Sequence, residues 1–415
     1  MQIYVRARKD KALLDYVNEK VYDNSLIIKT FCGKRKEELI KEIEELKKNP
    51  EDFTIVLLGN EDRKWINEDL SDAVVKIYFV PKKKVRNTKP KAIVKEIEMA
   101  KSRFILDIRF TENYYTLGKR SNFLIDLIPG SDIFLIYYSN YRKTLSSFME
   151  LNNYPLVWHT QDTDYIYAAD KLVGKVFRSI DGPLKFIKIE NEAKDIDLDK
   201  TIKYNLDYIK KKEEMTIKKI KLLISKGEFD RIIVPWSGGK DSTLLVALLK
   251  KHKIEFIPIY VDTGLEFDES KEYIDKIAKK LGIKYETVYA GIDKALQNNS
   301  YSFLLDRKCT VLKISSLYKK IKEIAENPLI INGDRISESE SRSFRPELRK
   351  DNFWVLSPIK YWSYLDEQLY FITNDIPINP LYELGFYRVG CYVCPFIDVF
   401  EKFLLKGTKY AAKLP

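Results

Sequence analysis

Histidine is nearly missing from this chain, with two in 415 residues, and cysteine is scarce, with four. Four cysteines (Cys32, Cys309, Cys391 and Cys394) are too few to staple a chain of this length, so a disulfide scaffold is excluded and a closely spaced pair reads as a metal or redox site. Any chemistry built on histidine has only His159 and His252 to draw on. No uninterrupted run of 18 apolar residues occurs, and the opening MQIYVRARKD has no signal-peptide pattern. The expectation is a soluble, cytoplasmic protein with no membrane partner. Internal repeats and low-complexity tracts are lacking too, so organisation has to be read from changes of pattern along the chain.

Hydrophobic residues at 45% against 32% charged allow a sizeable core, and the length suggests two or three domains. The net charge of +11 favours a polyanionic partner such as RNA, while a solvated lysine-rich surface is the bland alternative.

Residues 1–115 alternate apolar runs (Met1 to Val5, and FTIVLLG at 53–59) with the helical KRKEELIKEIEELKKN, as a small α/β domain would. VKIYFVPKKKVRNTKPK then brings prolines and cations, and marks a loop near 81–91 that could touch phosphate. Residues 116–196 read as a β-rich module, with strand-like runs at FLIDLI, DIFLIYY, PLVWHT and DYIYAA, and a hairpin signal at Asp181-Gly182. That module resembles an RNA-binding add-on of the PUA kind. Residues 197–228 carry isoleucines at helical spacing and form a helical connection ending at Gly227. The last domain spans 229–415.

The stretch VPWSGGKDSTLLVALLKK, residues 234–251, is where that domain declares its chemistry. A β-branched run becomes a helix through a turn of two glycines and a lysine, which makes an anion cradle. Gly238 and Gly239 let the backbone approach a ligand, the freed amides and the helix N-terminus point at negative charge, and Lys240 adds a cation. Ser237, Ser242 and Thr243 add hydroxyl donors. It is not a Walker A loop, because Val234 stands in place of the first glycine and Asp241 follows the lysine.

SGGKDS resembles the pyrophosphate (PP) loop of the adenine-nucleotide α-hydrolase superfamily. FIPIYVDTGLEFDES, RKCTVLKISSL, NGDRISESESR, SPIKYWSYLDEQLY and INPLYELGFYRVGCYVCPF, in that order, are similar to motifs of its phosphoadenylyl-sulfate (PAPS) reductase-like branch. The resemblance covers 231–396 and leaves the first 200 residues outside. It implies an α/β fold, a doubly wound and mostly parallel sheet with the nucleotide across the carboxyl ends of its strands. It implies ATP cleaved between the α- and β-phosphates with Mg²⁺. Ser237, Gly238, Gly239, Lys240, Asp241, Ser242 and Thr243 would hold the pyrophosphate and place the metal, and Asp262 would contact the nucleoside. Arg335, Glu338 and Arg342 would grip a second phosphate or an RNA backbone, the alternative being a surface ion-pair loop.

Cysteine usage separates the functions the family offers. Its reductases carry a nucleophilic cysteine in a C-terminal tail, and here FEKFLLKGTKYAAKLP holds none after Cys394. Iron–sulfur members place cysteines where Cys309, Cys391 and Cys394 stand, implying a three-thiolate [4Fe–4S] cluster. A structural zinc, a Cys391–Cys394 disulfide and plain buried thiols are the other readings. Two functions go forward: an ATP-dependent, adenylating sulfurtransferase acting on an RNA base, with tRNA as partner and the sulfur donor unnamed, and a sulfonucleotide reductase of sulfate assimilation. A non-catalytic nucleotide-binding module is held in reserve, and the oligomeric state, a homodimer included, stays open.

Overall fold

The computed structural model describes residues 1–179, 182–190, 192–227, 229–297 and 301–411. Three main sheets follow one another along the chain. In the first, β1 (Gln2–Val5), β2 (Ile27–Thr30), β3 (Thr54–Gly59) and β4 (Val75–Val80) pair in the order β2-β1-β3-β4, and every pairing is parallel. β3 and β4 are buried along their whole length, as the continuous apolar runs TIVLLG and VKIYFV require. The one charge in β4, Lys76, is fully buried and lies 3.1 Å from Asp107. A two-stranded ribbon, β5 (Ile108–Thr111) and β6 (Tyr114–Leu117), comes next.

The second sheet is antiparallel throughout. It runs β11-β10-β9-β8-β7, made of β7 (Asp132–Leu135), β8 (Leu156–His159), β9 (Thr163–Ala168), β10 (Lys171–Phe177) and β11 (Lys185–Lys188). β10 and β11 pair as a hairpin would, while Asp181 of the expected turn lies outside the described residues. FLIDLI is not a strand. Ile125 N donates to Phe123 O and Ile128 N to Asp126 O, so residues 123–128 bond in local two-residue steps, and Leu124 is largely exposed. The apolar run that suggested a strand here pairs with no strand among the described residues.

A single helix, Leu198–Ile224, leads to the last sheet. Asp197 caps it, its side chain accepting from Lys200 N. Halfway along, the fully buried Lys212 Nζ donates to Phe104 O (3.0 Å), Tyr361 O (2.8 Å) and Asp366 Oδ2 (2.6 Å). One ammonium therefore ties the helix before β5 to the far end of the chain. The main apolar core is continuous with that tie, running from Met1 through Phe104 and Ile220 to Phe400.

In the third sheet β12 (Arg231–Pro235), β13 (Ile257–Asp262), β14 (Glu286–Tyr289), β15 (Pro328–Ile331), β16 (Leu348–Lys350) and β17 (Trp354–Leu356) take the order β14-β13-β12-β15-β17-β16. All pairings are parallel except β16 with β17. The model thus has the mixed α/β, mostly parallel architecture expected of the last domain.

Candidate active site

β12 has β13 on one side and β15 on the other, so the strand order reverses across its carboxyl end. In an open parallel sheet that reversal leaves a crevice, and here the loop 236–239 fills its floor before the helix Lys240–Lys251 begins. Gly238 adopts φ +74°, and a Cβ on it would meet Ile274 Cγ1 at 2.9 Å, so this turn requires glycine. Ser242 Oγ donates to Gly239 O at 3.1 Å, accepts from Ser237 N at 3.3 Å and lies 3.3 Å from Ser237 Oγ. The buried Asn379 amide donates to Gly238 O at 3.1 Å. The cradle is held in shape before any ligand arrives.

Thr243 belongs to its foundation. It is fully buried, accepts a hydrogen bond from the Trp236 indole at 3.0 Å and is not among the residues lining the cleft above the loop. The expected role as a ligand donor is replaced by one in packing, because its position one turn into the helix faces the apolar core.

Lys240 and Arg335 are also placed differently from the expectation. Lys240 is 2% exposed, with Nζ donating to Asp241 Oδ2 at 3.0 Å and standing 5.0 to 5.6 Å from the ring centroids of Tyr364, Tyr387 and Tyr382. Tyr382 OH also accepts from Lys240 N at 3.0 Å. Three aromatic faces and a carboxylate replace the water the ammonium has lost. Arg335 is fully buried and lies behind the loop, so neither a surface ion-pair loop nor a direct phosphate grip describes it. Its Nη1 donates to Asp132 Oδ2 (2.7 Å) and Trp362 O (3.2 Å), its Nε donates to Asp241 Oδ1, and Glu367 Oε1 lies 3.3 Å from Nε. A desolvated guanidinium needs several acceptors, and only the interior offers three carboxyl groups together.

These groups set one another's charge. Burial pushes the Asp241 carboxyl up, but the Arg335 and Lys240 charges outweigh it and hold the group well below the usual carboxylate range. Burial drives the fully enclosed Glu367 carboxyl the other way, well above its ordinary value. The opposite shifts favour the charged form of Asp241, the partner that reaches the cleft, and the neutral form of Glu367.

The cleft itself has a volume of about 290 Å³ and is the point where the separate motifs meet. Ser237, Gly239 and Asp241 line it, as do Glu338 and Arg342, and Arg388, Cys391 and Cys394. Glu338 Oε2 accepts from Arg335 N at 3.1 Å and from Arg342 Nη1, so the Arg335 backbone and Arg342 are fixed by the same carboxylate. Asp262 does not line this cleft. It closes its own turn by accepting from Gly264 N at 2.8 Å and from Lys271 Nζ at 3.1 Å.

Cys391 is carried on a strand-like bridge to Glu266, its Sγ 3.3 Å from Thr263 Oγ1, and Cys394 N donates to Cys391 O at 3.1 Å. Cys309, on the first turn of the helix Lys308–Ile324, packs against the same small apolar cluster as Cys391. Burial pushes the Cys391 thiol up to about 11 and also raises that of Cys394, where the neighbouring Cys309 adds to the effect. Three soft donors gathered at one edge suit a thiophilic centre in kind. Their present spacing does not converge: among the described residues no group of three or more His, Cys, Asp or Glu side chains is close enough to hold a metal ion.

Several members of the site carried no signal in the sequence reading. Arg388 lines the cleft three residues before Cys391, inside a motif already singled out, and could have been found there. Asp132, Glu367 and Tyr364 look like ordinary strand and helix residues, and Tyr387 like a loop residue. Asp132 belongs to the second sheet and accepts from both Arg335 Nη1 and Tyr387 OH (2.8 Å). The antiparallel module is thereby built into the back of the loop.

Residues 231–396 match the family model described as Phosphoadenosine phosphosulfate reductase domain. An uncharacterized protein of Methanocaldococcus jannaschii is 28% identical over 224 residues, 51% of this chain and 53% of its own length. The adenosine 5'-phosphosulfate reductase of a Chelativorans species is 24% identical over 164 residues, 38% of this chain and 66% of that one. The chain thus spans about half the length of the Methanocaldococcus relative. Among solved structures, the PAPS reductase of Candida auris aligns with a TM-score of 0.36 at 15% identity, covering 45% of this chain and 94% of that one. The FMN adenylyltransferase of Candida glabrata in complex with ATP aligns with a TM-score of 0.30 at 18% identity, covering 39% and 52%.

Proposed function

We propose that this chain, whose residues 231–396 are a domain of the phosphoadenosine phosphosulfate reductase family, is an ATP-dependent adenylating enzyme that prepares an RNA base for sulfur insertion. One observation carries the reading: the intact PP loop and the Cys391-x-x-Cys394 turn line one cleft, together with Arg342 and Arg388. A sulfonucleotide reductase works on a nucleotide that is already activated, and has no need of an intact loop for a departing pyrophosphate.

In this reading the loop, through Ser237 and Gly239 at the cleft, receives the β- and γ-phosphates, and Arg342 and Arg388 neutralise charge as the pyrophosphate forms. Bound ATP supplies the adenylyl group for an acceptor oxygen, and Mg²⁺ shields the phosphates. Asp241 is the ionised carboxylate suited to that cation, kept deprotonated by Arg335 and Lys240 behind it. Glu338 holds Arg342 toward the cleft. Cys309, Cys391 and Cys394 are proposed as the ligands of an iron–sulfur centre, which would present sulfur chemistry beside the activated acceptor.

Anaerobic purification followed by iron, sulfide and zinc analysis tests the cysteine part. The expected result is iron and sulfide in the wild type, with loss in each single Cys→Ser variant at 309, 391 or 394 and none in Cys32→Ser. Equal iron in the wild type and the Cys309→Ser variant would remove Cys309 from the set.

A further inference from the structure

Because the four strands of the first sheet run the same way, their carboxyl ends share one edge, and the loops leaving them are neighbours in space. Arg8 and Lys9 follow β1, and Arg35 and Lys36 follow β2; all four are exposed. After β4 come Lys82 and Lys83, exposed, and Lys84, half-buried. Among the described residues none of these seven has an ion-pair partner within 4.0 Å. The acids of the same loops turn inward. Glu61 and Asp62 both accept from the buried Arg6, and the buried Asp10 accepts from Arg86 N and Nη1. Glu37 and Glu38, at the start of the helix Lys36–Lys48, are the exposed acids alongside.

The opposite edge of the sheet has the reverse character. Its loops, residues 22–26, 49–53 and 71–74, contain Asp23, Glu51, Asp52 and Asp72 and no lysine or arginine. The sheet is therefore polarised along its strands, with free cations gathered at one end.

The cationic end is also preformed. Asn60 N donates to Lys82 O at 2.9 Å and Glu61 N to Lys83 O at 3.2 Å, pinning the lysine run to the loop after β3. A Cβ at Gly59 would sit 2.3 Å from Lys83 O, so glycine is what permits that approach. Gly33 N donates to Arg6 O at 2.7 Å and joins the loops after β1 and β2. Three strand spacings make the ledge roughly 14 Å wide, enough to face several phosphates of a duplex carrying one charge per about 1.7 Å of axis.

We propose that this edge is a docking surface for the phosphate backbone of a folded RNA. The proposal rests on the RNA-acceptor reading above. Charge spread over the ends of several strands suits an extended polyanion better than a single phosphate. A membrane-surface element would add exposed apolar anchors, and the large apolar side chains of these loops, Phe31 and Val85, are buried.

The test is binding of a tRNA pool to the full chain across a salt series, with MgATP binding followed in parallel. Three variants are compared: Lys82→Gln/Lys83→Gln/Lys84→Gln; Arg8→Gln/Lys9→Gln/Arg35→Gln/Lys36→Gln; and, as a charge-matched control on exposed lysines elsewhere, Lys276→Gln/Lys279→Gln/Lys284→Gln. Each neutralised phosphate contact contributes about 0.7 to 0.9 to the slope of log affinity on log salt. Both ledge variants are expected to flatten that slope, by up to about three units, with the affinity for MgATP unchanged and the control close to wild type. If the wild type binds tRNA with a steep slope and both ledge variants match it, the surface is wrong while the RNA-acceptor reading stands. A wild type that binds MgATP but shows no salt-sensitive tRNA binding, or that binds anionic vesicles in place of tRNA, overturns both.

Discussion

Two parallel sheets in this molecule treat positive charge in opposite ways at their carboxyl edges. At the last sheet, Lys240 and Arg335 are buried, with Asp241, Asp132 and Glu367 packed against them and tyrosine rings around the ammonium. At the first, Lys82 and Lys83 stand in solvent without an ion-pair partner among the described residues. Stripping water from a cation demands compensation from the protein, so the buried pair acts through the group it holds, the ionised Asp241 at the cleft. The exposed set has made no such commitment, and its charge is available to whatever arrives. The same residue types thus fix a site's electrostatics in one place and recruit a ligand in the other, and burial alone decides which.

The sharpest way to break this contrast is to remove one cation from each edge. Arg335→Ala leaves carboxyl groups buried without their counter-charge and is expected to cost about 3–5 kcal/mol in urea unfolding, whereas Lys82→Ala should stay within about 0.5 kcal/mol of wild type. Equal midpoints for the two variants would erase the distinction.

Cysteine offers a second contrast of the same form. Cys32 follows β2 and is exposed, while burial holds the Cys391 thiol at about 11 against an ordinary value of 9.0. Between pH 7 and 8 the thiolate fraction of Cys391 in the apo protein should be roughly a hundredfold below that of an ordinary cysteine. Its alkylation should lag that of Cys32 accordingly and keep rising up to about pH 11, as followed by mass spectrometry. Because ligands must shed their protons to bind, metal uptake at Cys391 should strengthen as pH rises and weaken as it falls. Alkylation of Cys391 as fast as that of Cys32 at pH 7.5 would contradict the environment described.

A smaller effect sharpens the first comparison. Lys240→Ala removes the ammonium from Asp241 and from the edge of the loop, and loss of one charge-assisted contact is worth about 1.5–3 kcal/mol, or roughly ten- to hundredfold in MgATP affinity by calorimetry. Lys83→Ala should leave that affinity alone. Unchanged ATP binding in the Lys240 variant would end its assignment to the nucleotide site.

What could be read in advance divides along the same line between local and distant chemistry. The PP loop was legible because its function resides in consecutive residues: a glycine that must take a positive φ, a lysine, and hydroxyls at the start of a helix. Cys391 and Cys394 were legible as a spacing. Asp132 was not, since it meets Arg335 across 203 positions of chain, and nothing around DIFL marks it as the acid behind the loop. Glu367 lies within a quoted motif, yet its burial and raised pKa come from packing against Asp241 and Arg335, which no local pattern encodes. In FLIDLI the apolar run was real and misleading, because a strand needs a partner and none of the described strands pairs with it. The ledge on the first sheet was half legible: the run PKKK stands out in the sequence, whereas its union with Arg8, Lys9, Arg35 and Lys36 depends on four strands running parallel.

The central claim is that the loop 236–239 supports attack at the α-phosphate of ATP. It is tested most directly by identifying the nucleotide products formed from ATP labelled separately in its α- and γ-phosphates, with tRNA present. The account predicts the γ label in inorganic pyrophosphate and the α label in AMP, either carried on the tRNA or released from it, both lost in Asp241→Asn. Formation of ADP and orthophosphate would contradict it, as would no turnover of ATP together with reduction of adenylyl sulfate to sulfite.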